Sequence, residues 1–158
     1  MTTNIFAKFD KEIDTKELMA DVKEASENGV GNYKEVSHGE YEVAVETMEL
    51  KASKKGDPMV SIWFKIVSDG EFKGSIIFFN QVITQGFQIH IVNELLRTLV
   101  SEMGSPINIE FESYTQYNEL IMDVFESISE TFEYALSYQE GKKGFNTYEI
   151  TEVYELED

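Results

Sequence analysis

Hydrophobic positions along the chain change their spacing several times, and each change marks an element. Between Gly39 and Ala52, Tyr41, Val43 and Val45 alternate with Glu40, Glu42, Ala44 and Glu46. That two-residue period is the mark of a strand with one buried face. After Thr47 the apolar phase moves to Met48 and Leu50. A phase shift inside one strand predicts a bulge, whose bend lets a single strand serve both sides of a barrel. Lys51 to Pro58 reads as a turn segment. Met59 to Val67 predicts a second strand, with Val60, Ile62, Phe64 and Ile66 on one face and Ser61, Trp63 and Lys65 on the other. Ser68 to Glu71 is a turn. Gly74 to Ile83 predicts a third strand, apolar on both faces.

Helical spacing replaces alternation in three places. Asp14 to Glu17 resembles a helix start, and Leu18, Val22 and Ala25 continue it to the stop at Gly29, predicting a short amphipathic helix over 15–27. Phe87, Ile91, Leu95 and Leu99 recur at intervals of four and predict a helix over 86–103, ended by Gly104 and Pro106. Ile107 to Phe111 alternates like a short strand. Ser113 with Gln116 forms a capping-box pattern, and Tyr117, Leu120, Ile121, Val124 and Ile128 extend a helix to about residue 129. Thr131 to Tyr138 and Phe145 to Tyr154 then alternate as two strands around a glycine-containing hairpin loop, Gln139 to Gly144.

Three strands, a helix and two strands are the order of an OB-fold, a five-stranded, partly open barrel. The expected class is therefore mainly β with helices (α+β). Residues 1–30 form an N-terminal arm and helix, and 31–154 a single OB-like domain. An acidic helical insertion occupies 107–129, and an acidic tail occupies 155–158. The stretch from Glu152 to Asp158 could dock onto partner proteins or compete with nucleic acid, although it also simply completes a strand.

Composition narrows the functional classes. With no cysteine, disulfides and thiolate metal sites are excluded, and a reducing, cytoplasmic setting is expected. Met1 to Asp10 lacks the basic patch and apolar run of a signal peptide, and no apolar stretch is long enough for a membrane helix. The net charge of −17 favours solubility and self-repulsion. Charges on the far side of a small domain are screened over about 8 Å at physiological salt, so the position of the few lysines matters more than the total.

No catalytic constellation stands out. The two histidines, His38 and His90, have no serine or cysteine partner by motif. There is no phosphate-binding glycine loop, and no histidine or aspartate spacing suited to a metal; no cofactor is expected. A carboxylate–magnesium nuclease would need clustered aspartates, whereas Asp57, Asp69 and Asp123 lie far apart in sequence. The lysines carry more information. Lys51, Lys54 and Lys55 flank the loop between strands one and two, Lys142 and Lys143 occupy the last hairpin, and Lys65 lies beside Trp63. These are six of the 13 basic residues, expected at one end and one face of the barrel. An OB-fold binds oligonucleotides on that face with those loops. Lysines track phosphates while rings stack on bases. The candidate stacking residues are Trp63, Phe79, Tyr138, Phe145 and Tyr148. Against this, lysine hairpins also serve solubility and strand aromatics usually serve the core. Trp63 escapes part of that objection by sharing its face with Ser61 and Lys65.

Residues 31–83 resemble a bacteriophage family known only as domain of unknown function 669. The resemblance rests on Tyr33, Glu35, Val36, Gly39, Tyr41, Glu42 and Val43, on the turn residues Lys54, Gly56, Pro58 and Met59, on Phe72, Lys73 and Gly74, and on Phe79 and Asn80. It implies a place among phage replication and recombination proteins in the host bacterial cytoplasm, and binding of single-stranded DNA. The acidic segment Ile107 to Ser129, with no lysine or arginine, departs from the pattern.

The expectation is a non-catalytic, sequence-independent single-stranded DNA-binding protein. Its sparse positive charge predicts weak to moderate affinity per protomer, which cooperative or homo-oligomeric binding would compensate. The alternative is an acidic protein-binding adaptor, or an inhibitor that mimics DNA.

Overall fold

The computed structural model describes residues 35–157. The helix expected over 15–27 lies outside them. The chain divides into two compact units, one of residues 1–35 with 54–56 and one of residues 36–53 with 57–158. The second unit holds every described strand and helix.

The elements are β1 (Gly39–Ala52), β2 (Pro58–Ile66), β3 (Ile76–Val82), α1 (Gly86–Leu99), α2 (Tyr114–Ile128), β4 (Phe132–Glu140) and β5 (Asn146–Glu155), with a single 3-10 turn at Lys142–Gly144 between β4 and β5. The strands form one five-stranded antiparallel sheet in the order β3-β2-β1-β4-β5. The fold is therefore mainly β with two helices, an α+β arrangement around an open sheet.

β1 is the spine. Its first half pairs with β4, from Gly39 opposite Tyr138 to Val43 opposite Tyr134. Most of its length also pairs with β2, from Val43 opposite Ile66 to Ala52 opposite Pro58. The expected bulge is present: Val45 opposes Phe64 and Thr47 opposes Trp63, so Glu46 is the surplus residue. A second irregularity makes Thr151 the surplus residue of β5, because Ala135 opposes Glu152 while Leu136 opposes Ile150. Such bulges bend a strand and increase its twist. No backbone ladder joins the two edge strands. They are linked through Tyr148 of β5, whose hydroxyl donates to the Phe78 carbonyl of β3 at 2.9 Å. Its ring stands edge-on to Phe79, with centroids 5.1 Å apart.

The inner face of the sheet and the two helices share one core. Val43, Val45, Met48, Val60, Ile62, Phe64, Ile66, Ile77, Phe79, Tyr134 and Leu136 come from the sheet, and α1 and α2 contribute residues such as Leu96, Leu99, Ile121 and Val124. Burying each such side chain contributes roughly 1.5–3 kcal/mol before ordering costs. Tyr134 pins the end of α1 to the sheet by donating its hydroxyl to the Leu99 carbonyl at 2.7 Å, satisfying one of the terminal carbonyls that a helix leaves unpaired. Tyr117 ties α2 to α1 through Asn93.

The helix caps follow the sequence signals. The Ser113 hydroxyl accepts from Gln116 N–H at 3.1 Å. The Gln116 side chain returns to Glu112 N–H at 2.9 Å, one residue before the cap, instead of to the cap itself. Two expectations are corrected. α1 stops at Leu99 instead of 103, because Val100 leaves helical geometry and Ser101 and Met103 make turn bonds to Thr98 and Val100. Ile107 to Phe111 is not a strand. It runs over the core with Ile109 buried, held by Arg97 on the Ile109 carbonyl and Gln116 on the Glu110 carbonyl.

Candidate nucleic-acid interface

Pairing register assigns every side chain of the sheet to a face. Directly opposed residues share a face, and successive residues alternate. Across β1, β2 and β3 the rows opposite the core are Thr47–Trp63–Phe78, Glu49–Ser61–Asn80, Lys51–Met59–Val82 and Ala44–Lys65–Ile76, of which Ser61 is buried, at 1% exposed, and is not open to solvent. The inward rows are Met48–Ile62–Phe79 and Val45–Phe64–Ile77, all buried.

At the middle of the outward face, Trp63 and Phe78 are both half-buried and meet edge to face, 5.2 Å between centroids and 83° between planes. Lys65 is exposed one row away. Lys51 lies on the same face at the opposite end of β2, a separation of about 20 Å along the strand. Its ammonium is 3.8 Å from Glu49, with side chains 29% and 58% exposed. A pair that exposed contributes about 0–1 kcal/mol.

The β4–β5 hairpin supplies a second group. Lys142 and Phe145 are exposed, Phe145 to 73%, and Lys143 lies in the same 3-10 turn. This hairpin leaves the sheet beyond Gly39, the start of β1, whereas the turn between Ser53 and Asp57 leaves it at the other end of β1. The expected gathering of lysine loops at one end is therefore not what the strand order produces. What draws the hairpin toward the β2–β3 face is Tyr148, three residues beyond Phe145, bonded to Phe78. Lys54 and Lys55 are exposed and belong to the first unit.

The aromatic candidates separate by face. Trp63 is outward. Phe79 is 5% exposed and packs in the core, so it offers no platform for a base. The sequence does not choose between Phe78 and Phe79, because β3 is apolar on both sides. The one available signal is exposed, polar Asn80, which shares its parity with Phe78. Tyr138 and Tyr148 face inward, half-buried, with rings 5.4 Å apart. Tyr138 accepts from Asn146 at 3.0 Å, and burial pushes the Tyr148 hydroxyl above the usual phenol range. Both are braces of the sheet edge and not stacking surfaces.

The other half of the outward face is acidic. Glu40 and Glu42 of β1, Glu133 of β4, and Glu149 and Glu152 of β5 lie on the rows Glu40–Ser137–Glu149, Glu42–Ala135–Glu152 and Glu133–Tyr154. The negative potential is visible at Tyr154, whose pKa is pushed up to about 12, first by its hydrogen bond to Glu152, with the Glu42 charge contributing. Among the described residues, no three His, Cys, Asp or Glu side chains are grouped to hold a metal ion, and no helix is long and apolar enough to cross a membrane.

Residues 20–124 match the family described as "Protein of unknown function (DUF669)". No curated protein matches the chain.

Proposed function

The chain belongs to the DUF669 family, whose function is unknown, and on that premise we propose that it is a non-catalytic protein that holds single-stranded DNA without sequence preference on an OB-like barrel. The observation that carries the reading is the half-buried Trp63–Phe78 pair on the outward face, set between Lys65 and Lys51. A base can stack on such a ring for roughly 1–3 kcal/mol whatever its identity, while lysines on either side meet the phosphates. The OB-like part of the proposal rests on strand order. With β3 and β5 at the two edges, a barrel closes only where they meet, and Tyr148 spans that gap. The phage replication and recombination setting belongs to the same proposal and rests on the family resemblance.

The contacts are few. Lys51, Lys65 and Lys142 together predict a log–log salt slope of about −2, from about −0.7 per phosphate. The test is a fluorescence titration of Trp63, the only tryptophan, with oligo-dT across a salt series. Quenching that salt reverses supports the reading, and a flat response at low salt refutes it. The glutamate half of the sheet favours a second reading, an acidic adaptor or DNA mimic that docks on a basic protein surface. A flat titration leaves that reading standing.

A further inference from the structure

Tyr148 is bonded in a way that concerns more than the sheet edge. β3 is an edge strand, and the Phe78 carbonyl receives the Tyr148 hydroxyl at 2.9 Å. Phe78 is also the ring partner of Trp63. On the other side, Tyr148 packs on Tyr138, whose hydroxyl accepts from the Asn146 amide at 3.0 Å. The Asn146 side-chain oxygen lies 2.8 Å from His38 Nε2, and the His38 ring leans on Tyr138 at 4.9 Å. One continuous brace thus runs from just before β1, through the base of the β4–β5 hairpin, to the backbone under the outward aromatic pair. No backbone ladder duplicates its last link.

We infer that Tyr148 is a positioning residue that holds the β4–β5 hairpin against the β2–β3 face, so that Lys142 and Phe145 engage the same strand of DNA as Trp63 and Lys65; this rests on the single-stranded DNA reading above. Lys142 and Phe145 are six and three residues from Tyr148, within about 20 Å and 10 Å of extended chain. Their reach to the aromatic pair therefore depends on where Tyr148 is anchored. Removing the hydroxyl keeps the ring against Phe79 but takes away the hydrogen bond that fixes β5 to the Phe78 carbonyl of β3.

The experiment is the Trp63 titration with oligo-dT over a salt series, run on the full chain, Tyr148→Phe, Lys142→Ala and the double variant, with thermal melts to confirm folding. The expected result for Tyr148→Phe is a slope shallower by about 0.7 and affinity weaker by roughly fivefold to tenfold at about 50 mM salt, as for one lost phosphate contact. Maximal quenching should stay unchanged, because the Trp63 platform remains. Lys142→Ala should reproduce the slope change and add nothing on top of Tyr148→Phe. A folded Tyr148→Phe protein with the wild-type slope, or additive losses in the double variant, overturns the inference while leaving the binding reading intact. No salt-reversible response in the wild type overturns both. If Tyr148→Phe does not fold, Lys142→Ala alone carries the test: a slope shallower by about 0.7 supports a hairpin that engages the same strand of DNA, and the wild-type slope overturns the inference.

Discussion

Replacing Phe79 by alanine and, separately, Trp63 by alanine tests whether the two faces of β2–β3 have been assigned correctly. Phe79 is 5% exposed, opposes Ile62 and meets the Tyr148 ring at 5.1 Å. Emptying a site enclosed on that many sides costs about 3–5 kcal/mol, because the surrounding rings cannot collapse fully into the space. At about 2–4 °C per kcal/mol for a domain of this size, the melting temperature should fall by roughly 6–20 °C. Trp63 is half-buried on the outward face, so its truncation should cost less stability than that of Phe79. Its cost should appear in binding instead, at roughly 1–3 kcal/mol, or about 5- to 150-fold in Kd. Because the second variant loses the fluorophore, affinity is read by anisotropy of a labelled oligo-dT, and stability by circular dichroism melts. The reasoning is refuted if Phe79→Ala weakens DNA binding at unchanged stability, or if Trp63→Ala melts as early as Phe79→Ala yet binds as the wild type does.

Tyr134→Phe leaves the buried Leu99 carbonyl without its donor and should cost about 1–3 kcal/mol in urea unfolding, with oligo-dT affinity unchanged. Gly141→Ala places a methyl 2.7 Å from Thr147 Cγ2 and 2.9 Å from the Phe145 carbonyl, closer than either neighbour tolerates, so the hairpin must shift. Faster amide exchange at Gly141 N–H, now bonded to Phe145 O at 2.6 Å, is the expected sign. Ser113→Ala removes the α2 cap and should cost about 1 kcal/mol by thermal melt. Tyrosine ionisation followed at 295 nm should show a late class. Tyr154, held up to about 12 by Glu152, and the buried Tyr117 and Tyr134, raised further by burial, stay neutral in the fold. A raised folded pKa favours the native state below the unfolded value of 10.0 and loses that advantage above it. Stability should therefore decline from about pH 10 upward, and an alkaline melting temperature unchanged to pH 12 refutes the assignment.

Strands β1, β2 and β4 were legible because strict alternation places Val43, Ile62 or Leu136 on one face without reference to any neighbour. The same rule misread Ile107 to Phe111. A coil laid over a core also buries every second residue, and only a partner strand, absent here, distinguishes the two. The choice between Phe78 and Phe79 failed for a different reason. Both positions are apolar, and parity in β3 is set by its register with β2, which is a property of the pair. Trp63 and Lys65 were found together because β2 carries its own polar row. The roles of Tyr138 and Tyr148 were not legible, since their partners, His38, Asn146 and Phe78, are brought to them only by the curl of the whole sheet.

One bend of that curl is written in one letter of the sequence. Without Glu46, Val45 and Thr47 would be adjacent and would still oppose Phe64 and Trp63, so no side chain on β1 would change sides. Facing and this bend of β1 are thus separately encoded: one by the order of apolar residues, the other by a single insertion. A chain shortened at that position would keep its core pattern and flatten, carrying the Tyr148 hydroxyl away from its carbonyl.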